Sequence, residues 1–369
     1  MAITGQYLGQ FENPHPNSFV MNIDADTPQH AIALVYKTAT DRPYAMMMDV
    51  DTAAGPDRFV GKATAAWTLD ENNIPHQIKM DRGFNLNIEC ARDQNTKKFS
   101  GKWYDSTGTN GSVKFETMWV GGELIKPTIC QTWDDYKVWA RDASENHGAI
   151  AFRGHGDSNF KLSTSLHRTG RCNLWRYNTG TLTEFMRHVD ATTDFELSRE
   201  KPNDFARLLG MAQHHGLPTP LLDWSESPYV AAFFALSDAI DIKANRKLTH
   251  MRVYALTREF AQANSPSIVG LLELEPAVRM LQVSAKYNPR LYAQQGLFTL
   301  SSVHDIEAFL YGTGKNNNKN YLMAADIPVS EIGVGISDLF YMGITASSLF
   351  PGLDGLCKRI RHQMFIGKV

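Results

Sequence analysis

The stretch Gln213-His214-His215-Gly216-Leu217-Pro218-Thr219-Pro220-Leu221-Leu222-Asp223-Trp224-Ser225-Glu226-Ser227-Pro228 decides how the second half of the chain is read. Just before it, Phe205, Leu208, Leu209 and Ala212 recur at i, i+3, i+4 and i+7, which makes one buried stripe on a helix over 204–215. Gly216 stands where a left-handed C-terminal cap belongs, and Pro218 prevents the helix from continuing. Ser227 as N-cap and Pro228 at the first helical position open the next helix. Its Tyr229-Val230-Ala231-Ala232-Phe233-Phe234-Ala235-Leu236 is apolar nearly all round, so that helix is central.

Strands and helices mix on either side of this segment. Ala149-Ile150-Ala151-Phe152 reads as a short strand running into Arg153-Gly154, and 251–256 and 296–300 read as strands. Helices are expected from Thr132, a capping residue followed by Asp134-Asp135, over 182–189, and over 353–363. Residues 312–320 read as a polar loop. Upstream the texture is all-β: strand patterns cover 19–23, 31–36, 44–50, 64–69, 84–89 and 113–119. Turn-formers separate them at 13–14, 41–43, 54–56, 71–73 and 107–111, and Asn110-Gly111 favours a primed hairpin turn. The expected organisation is a β sandwich or barrel over 1–125, serving to sense or dock a partner, followed by an α+β domain over 126–369.

With 369 residues the chain is comfortable as two domains, and 43% apolar residues support packed cores. The first part has 11 basic and 15 acidic groups, the second 26 and 24, so a formal charge of -2 argues against a coat for nucleic acid or an anionic membrane. No apolar run approaches the ~20 residues that span a bilayer, and the N-terminus lacks a signal-peptide pattern. Cys90, Cys130, Cys172 and Cys357 lie far apart, which reads as reduced thiols in a cytoplasmic protein. His155, His167, His214 and His215 lack metal-ligand spacing, so no metal is expected.

Three segments place polar groups beside core. Phe152-Arg153-Gly154 sets a bidentate cation at a strand end next to open backbone, which suits a phosphate or carboxylate; an arginine paired with a buried carboxylate is the structural alternative. In the second segment His214 points away from the helix stripe while Gln213 and His215 flank it. The chain then delivers Asp223, Trp224, Ser225 and Glu226 to the N-terminus of the central helix. The third, Arg290-Leu291-Tyr292-Ala293-Gln294-Gln295-Gly296-Leu297-Phe298, offers amides for a ligand or a strand edge.

In this order the segments resemble the FRG domain, over roughly 130–365. The resemblance rests on Phe152-Arg153-Gly154, Leu162-Ser163-Thr164-Ser165-Leu166-His167-Arg168, Gln213 to Thr219, Leu221-Leu222-Asp223-Trp224, and Gln294 to Phe298. The family pattern has Arg where this chain has Pro220, so one expected anion contact is missing. The resemblance implies a bacterial or phage-related protein associated with defence or toxin modules. A looser similarity, to ADP-ribosyltransferases of the arginine-serine-glutamate type, covers Phe152-Arg153-Gly154 and Trp224 to Phe234. It implies an NAD or nucleotide site in which Arg153 grips phosphate and Ser225 shapes a ribose site. Phe152, Gly154, Arg168, Gln213, His214, His215, Asp223 and Arg290 would line the pocket, and Trp224 would stack on a ring. Glu226 or Gln295 would polarise the ribose, in place of the family's late glutamate. The rival expectations are a non-enzymatic sensor and a nuclease using His155, His214 and Asp223.

Overall fold

The computed structural model describes residues 3–12, 16–36, 43–69, 75–78, 85–118, 124–194, 196–198, 201–243, 246–264, 275–281 and 289–367. The turns expected at 13–14, 41–42 and 71–73 lie outside the described residues. Nine antiparallel strands come first: β1 (Gly5–Phe11), β2 (Asn17–Ile23), β3 (His30–Tyr36), β4 (Tyr44–Val50), β5 (Arg58–Leu69), β6 (Pro75–Gln77), β7 (Asn87–Arg92), β8 (Phe99–Tyr104) and β9 (Asn110–Thr117). Each pairs with its neighbour in the order β4-β3-β2-β1-β9-β8-β7-β5, and β4 pairs β5, which closes an eight-stranded barrel with β6 appended to β5. Closure removes free edges, and of the two expected architectures the barrel is the one adopted. Its interior is filled by Tyr7, Phe19, Met21, Met46, Met48, Phe59, Phe99 and Phe115 among others.

Strands β2 to β4 are buried on both faces over most of their length, with His30 and Asp49 exposed at one end. Phe19, Met21 and Ile23 point into the barrel, whereas Val20 joins a core built with the second half of the chain. The run Met46-Met47-Met48 follows the same alternation, with Met46 and Met48 inside the barrel and Met47 packed outside against the Ile32, Ala45 and Trp175 cluster. The primed turn expected at Asn110-Gly111 is not formed. Those residues begin β9, paired with Tyr104 and Trp103, because the Asp105 carboxylate takes the Thr107 and Thr109 N–H groups and makes the turn one step earlier.

The second part has β10 (Thr128–Ile129), α1 (Trp133–Glu145), β11 (Ala149–His155), α2 (Ser165–Arg168), α3 (Leu174–Arg176), α4 (Thr183–Thr192), α5 (Pro202–His214), β12 (Leu221–Ser225) and α6 (Pro228–Lys243). It continues with β13 (His250–Thr257), α7 (Arg258–Asn264), β14 (Val278–Leu281), α8 (Pro289–Ala293), β15 (Gly296–Ser301), α9 (Ile306–Asn316), β16 (Leu322–Pro328), α10 (Ile332–Tyr341), α11 (Ala346–Leu349) and α12 (Leu353–Phe365). The seven strands form a mixed sheet, β10-β16-β13-β11-β12-β15-β14, in which only the β10–β16 pair is parallel. Thr132 caps α1 in a reciprocal box with Asp135, Gly216 ends α5 at φ +81°, and Ser227 accepts the Val230 N–H at the start of α6. The loop expected over 312–320 is helical as far as Asn316, since Asp305 caps α9 and its buried Ile306, Phe309 and Leu310 carry the helix forward.

Helices α1, α6 and α10 cover one face of this sheet through Trp133, Tyr136, Phe233, Leu236 and Ile332. The barrel and α9 cover the other. The join between barrel and sheet is polar at its rim. Asp24, nearly fully buried, accepts the Cys172 and Asn173 N–H groups and pairs with Arg176, while Asp26 pairs with both Arg171 and Arg176. Gln6 reaches across as well, donating to the Ser302 carbonyl and accepting the His304 N–H.

Helix α6 lies directly on β11. A Cβ on Gly154 would come within 2.0 Å of the Ala231 carbonyl oxygen, and one on Gly156 within 2.6 Å of the Ala239 nitrogen. Backbone cannot yield there as a side-chain tip can. Gly154→Ala is therefore expected to destabilise the protein by about 3 kcal/mol or more, read as a lowered urea midpoint, because overpacking against backbone is worse than against side chains. A variant of wild-type stability would show that α6 shifts freely.

Candidate functional site

The mixed sheet splits beside that contact. β11 pairs with β13 over six residues and β12 with β15 over five, but β11 and β12 meet at the single pair Phe152 and Ser225. Beyond it the strands diverge, and Arg153 fills the gap. Its Nη1 donates to the Asp223 carbonyl at 2.6 Å, with the Asp223 carboxylate 3.7 Å away. Its Nε donates to His155 Nε2 at 3.1 Å. Arginine cannot act as an acceptor, so His155 holds its proton on Nδ1. Burial first, and the Arg153 charge second, pull the His155 pKa down to about 3. Burial likewise lowers the Arg153 pKa, with Asp223 opposing it.

A cavity of about 430 Å³ opens at the split, lined by Phe152, Arg153 and Gly154 from β11, Gln213 and His214 from α5, Asp223, Trp224 and Ser225 from β12, and Arg290 from α8. The side chains around Asp223 are fixed by a chain of bonds. Thr219 donates its hydroxyl to Gln213 Oε1, which turns the amide so that Nε2 donates to the Asp223 carboxylate at 3.0 Å. Ser165 in turn holds the Thr219 backbone at both its N–H and its carbonyl. His214 has its pKa lowered by partial burial, then by the Arg290 and His215 charges.

Several expected residues are placed differently. Trp224 is 3% exposed, with its indole in the core and Nε1 donating to Thr299, so its ring offers no stacking face. The Ser225 hydroxyl donates to the Gln294 carbonyl and accepts the Ser227 N–H, which makes it a brace of the β12–α6 turn. Arg168, His215, Glu226 and Gln295 do not line the cavity. Arg168 instead donates to the Ser163 carbonyl. Glu226 and Gln295 are exposed and join through backbone, N–H to carbonyl at 2.9 Å. Gln295 sits at φ +49° in the turn before β15, so the glutamine that faces the cavity is Gln294, its amide donating to the Leu349 carbonyl.

Phe234, Asp238, Phe350 and Lys358, which the sequence did not single out as site residues, also line the cavity. Ser237-Asp238 ends the apolar run of α6, a signal present in the sequence. Asp238 accepts the Gly156 N–H, and burial raises its pKa. Phe350 is flanked by two cations, with the Arg290 guanidinium 5.7 Å and the Lys358 ammonium 5.6 Å from its ring centre. Lys358 has a long contact with Asp241 at 3.7 Å, whereas Arg290 has no carboxylate partner among the described residues. No group of three or more His, Cys, Asp or Glu side chains converges on a metal position among the described residues. No helix among them is long and apolar enough to cross a membrane.

Residues 148–244 match the FRG domain family, so the chain carries an FRG domain running from β11 to the end of α6. The match holds Arg153, Gln213 and Asp223 and is shorter than the 130–365 of the sequence resemblance; Arg290, Phe350 and Lys358 fall outside it. No curated protein and no solved structure matches the chain.

Three buried histidines set a pH dependence. The pKa is pulled down to about 3 at His155 and His167 and to about 4 at His362, in each case chiefly by burial. The unfolded chain takes up these protons below about pH 6.5 while the folded chain refuses them, so their stabilisation is complete above that pH and is lost as pH falls toward 4. The unfolding free energy from urea titration is expected to drop from pH 6.5 to 4.5, by up to about 1.4 kcal/mol per pH unit for each histidine. Imidazole NMR signals of all three should stay unshifted from pH 8 to 5; one that titrates near 6.5 would refute this.

Proposed function

We propose that the FRG domain and the segments packed on it bind an anionic nucleotide with a diphosphate, NAD or an ADP-ribose relative, in the cavity at the sheet split. The observation that carries this reading is Arg153. Two of its nitrogens hold the split together, and its Nη2 has no hydrogen bond among the described residues while the side chain lines the cavity. Arg290 and Lys358 supply further positive charge at the rim, and Phe234 and Phe350 supply apolar faces for a planar ring. A cavity of this size suits part of a dinucleotide, with the remainder in solvent.

Turnover of NAD would use Asp223. The bond from the ribose C1′ to the nicotinamide nitrogen breaks with its electron pair leaving on nicotinamide, and a carboxylate stabilises the positive ribosyl centre. Water or an acceptor nucleophile then bonds to C1′ and releases a proton. Asp223 lines the cavity and has its carboxylate oriented by Gln213, which neither Glu226 nor Gln295 does. In this reading the protein is a defence or toxin effector and the barrel is a docking body. The late motif carries Gln295 in place of a carboxylate, and the neighbour that lines the cavity, Gln294, is an amide too; this favours a second reading, a nucleotide sensor without turnover.

Calorimetric titration with NAD, ADP-ribose and ATP separates these readings. Saturable binding is expected, lost in Arg153→Ala and weakened about tenfold in Arg290→Gln, the effect of one charged hydrogen bond of ~1.5 kcal/mol. Nicotinamide release that disappears in Asp223→Asn with binding retained would establish the enzyme. Binding without release would establish the sensor. Absence of heat with every ligand, or full binding by Arg153→Ala, would refute the nucleotide site.

A further inference from the structure

The last helix presents two unlike faces. Its inner face carries Gly355 and His362, both buried, and Lys358 beside the cavity. On its outer face Leu353, Leu356, Ile360 and Met364 follow at intervals of three, four and four, a single stripe on an α-helix, and all four are exposed, Leu353 to 77% and Met364 to 61%. Cys357 lies in the same stripe and is exposed as a free thiol. Tyr341 and Met342, at the end of α10, are exposed as well, and α10 adjoins α12 through Arg359 over the Phe340 ring. Contiguous apolar surface of this kind marks an interaction face.

The order of residues along the stripe says what covers it. An antiparallel partner helix related by a twofold axis near residue 358 would set Leu353 against Met364 and Leu356 against Ile360, apolar on apolar at both steps. The same axis sets Asp354 of one copy opposite Arg361 of the other. These two lie on one flank of the stripe, about 20° apart on the helical wheel, so both opposite-charge pairs form on the same side of the joint. Arg361 is 56% exposed even while paired with Asp241, so its guanidinium has donors to offer.

We infer that the α12 stripe is the isologous interface of a homodimer, with a second copy of this chain as its occupant. The two Cys357 residues flank the axis, offset by about 3 Å along the helix direction from the helix rise, and helices packed ~8–10 Å apart bring such positions within disulfide reach. Lys358 stays on the opposite face, so the joint forms without blocking the cavity.

Sedimentation velocity on the full chain, from about 1 to 100 µM, is expected to show a dimer. Ile360→Glu should give a monomer with an unchanged thermal transition. Asp354→Arg should weaken the dimer about tenfold, and adding Arg361→Asp in the same chain should restore it by re-forming the pair with exchanged charges. Mild oxidation with diamide should yield a covalent dimer through Cys357, absent in Cys357→Ser, since Cys90, Cys130 and Cys172 are buried. A monomer at every concentration would overturn the inference and leave the stripe to another protein or a lipid surface. A dimer indifferent to Ile360→Glu and to the charge exchange would overturn it in favour of a different surface.

Discussion

Close contact between the α6 backbone and β11 is the constraint on which the rest of the second domain depends. Because Gly154 and Gly156 carry no Cβ, the helix sits on the strand itself. Phe152, two residues before Gly154 on the same face, then enters the core between α1 and α6. Strand alternation sends Arg153 the other way, to the gap where β11 and β12 part. The Phe-Arg-Gly triplet thus does three physical jobs in three successive residues: filling core, bridging the split, and admitting a helix. The same packing explains why α6 is apolar all round over its first nine residues and why its first polar interruption, Ser237-Asp238, falls where it reaches the cavity.

The barrel packs on this part of the chain through two shared apolar clusters and a polar rim. Strands β2 to β4 have both faces occupied, and the nearly buried Asp24 carboxylate is satisfied by two backbone N–H groups and Arg176. A carboxylate removed from water is tolerated only with such complete partnering. The residues it holds, Cys172 and Asn173, follow α2, and Ser165 at the start of α2 holds Thr219, which orients Gln213 and through it Asp223. Barrel and cavity are therefore linked through α2, hydrogen-bonded to the Asp24 loop after its end and to Thr219 at its start, and no barrel residue lines the cavity.

Much of this was legible in the sequence because it depends on local chemistry. The Thr132 cap, the Gly216 terminator, the Ser227-Pro228 start and six barrel strands, β2 to β5, β7 and β9, follow from residue type and period. The cavity members Arg153, Gln213, His214, Asp223 and Arg290 also stood out, as polar groups set beside core. What failed was orientation at strand ends. Trp224 and Asp223 are adjacent, and alternation buries one ring while exposing the next carboxylate. Gln294 and Gln295 differ in the same way, because a left-handed residue turns the second amide outward. Barrel closure through β4 and β5 pairs distant segments and has no local signature. Strands β1 and β8 carry no clear period-two signal, because Gly9 and Gly101 interrupt their apolar pattern.

The electrostatics of the cavity run against the economy seen elsewhere in the fold. At the barrel joint each cation has its carboxylate, and on the sheet Arg252 lies bidentate on Asp326 at 2.6 and 2.9 Å. Around Phe350 two cations share one ring, and Arg290 lacks an acidic partner among the described residues. Arg153 is held mostly out of water with its nearest carboxylate at 3.7 Å, too far for a hydrogen bond. Like charges placed together on three separate elements (β11, α8 and α12) lower stability unless an anion sits among them, and local inconsistency of this kind collects where a protein binds its ligand. The positive charge is therefore better explained by what enters the cavity than by what holds the fold.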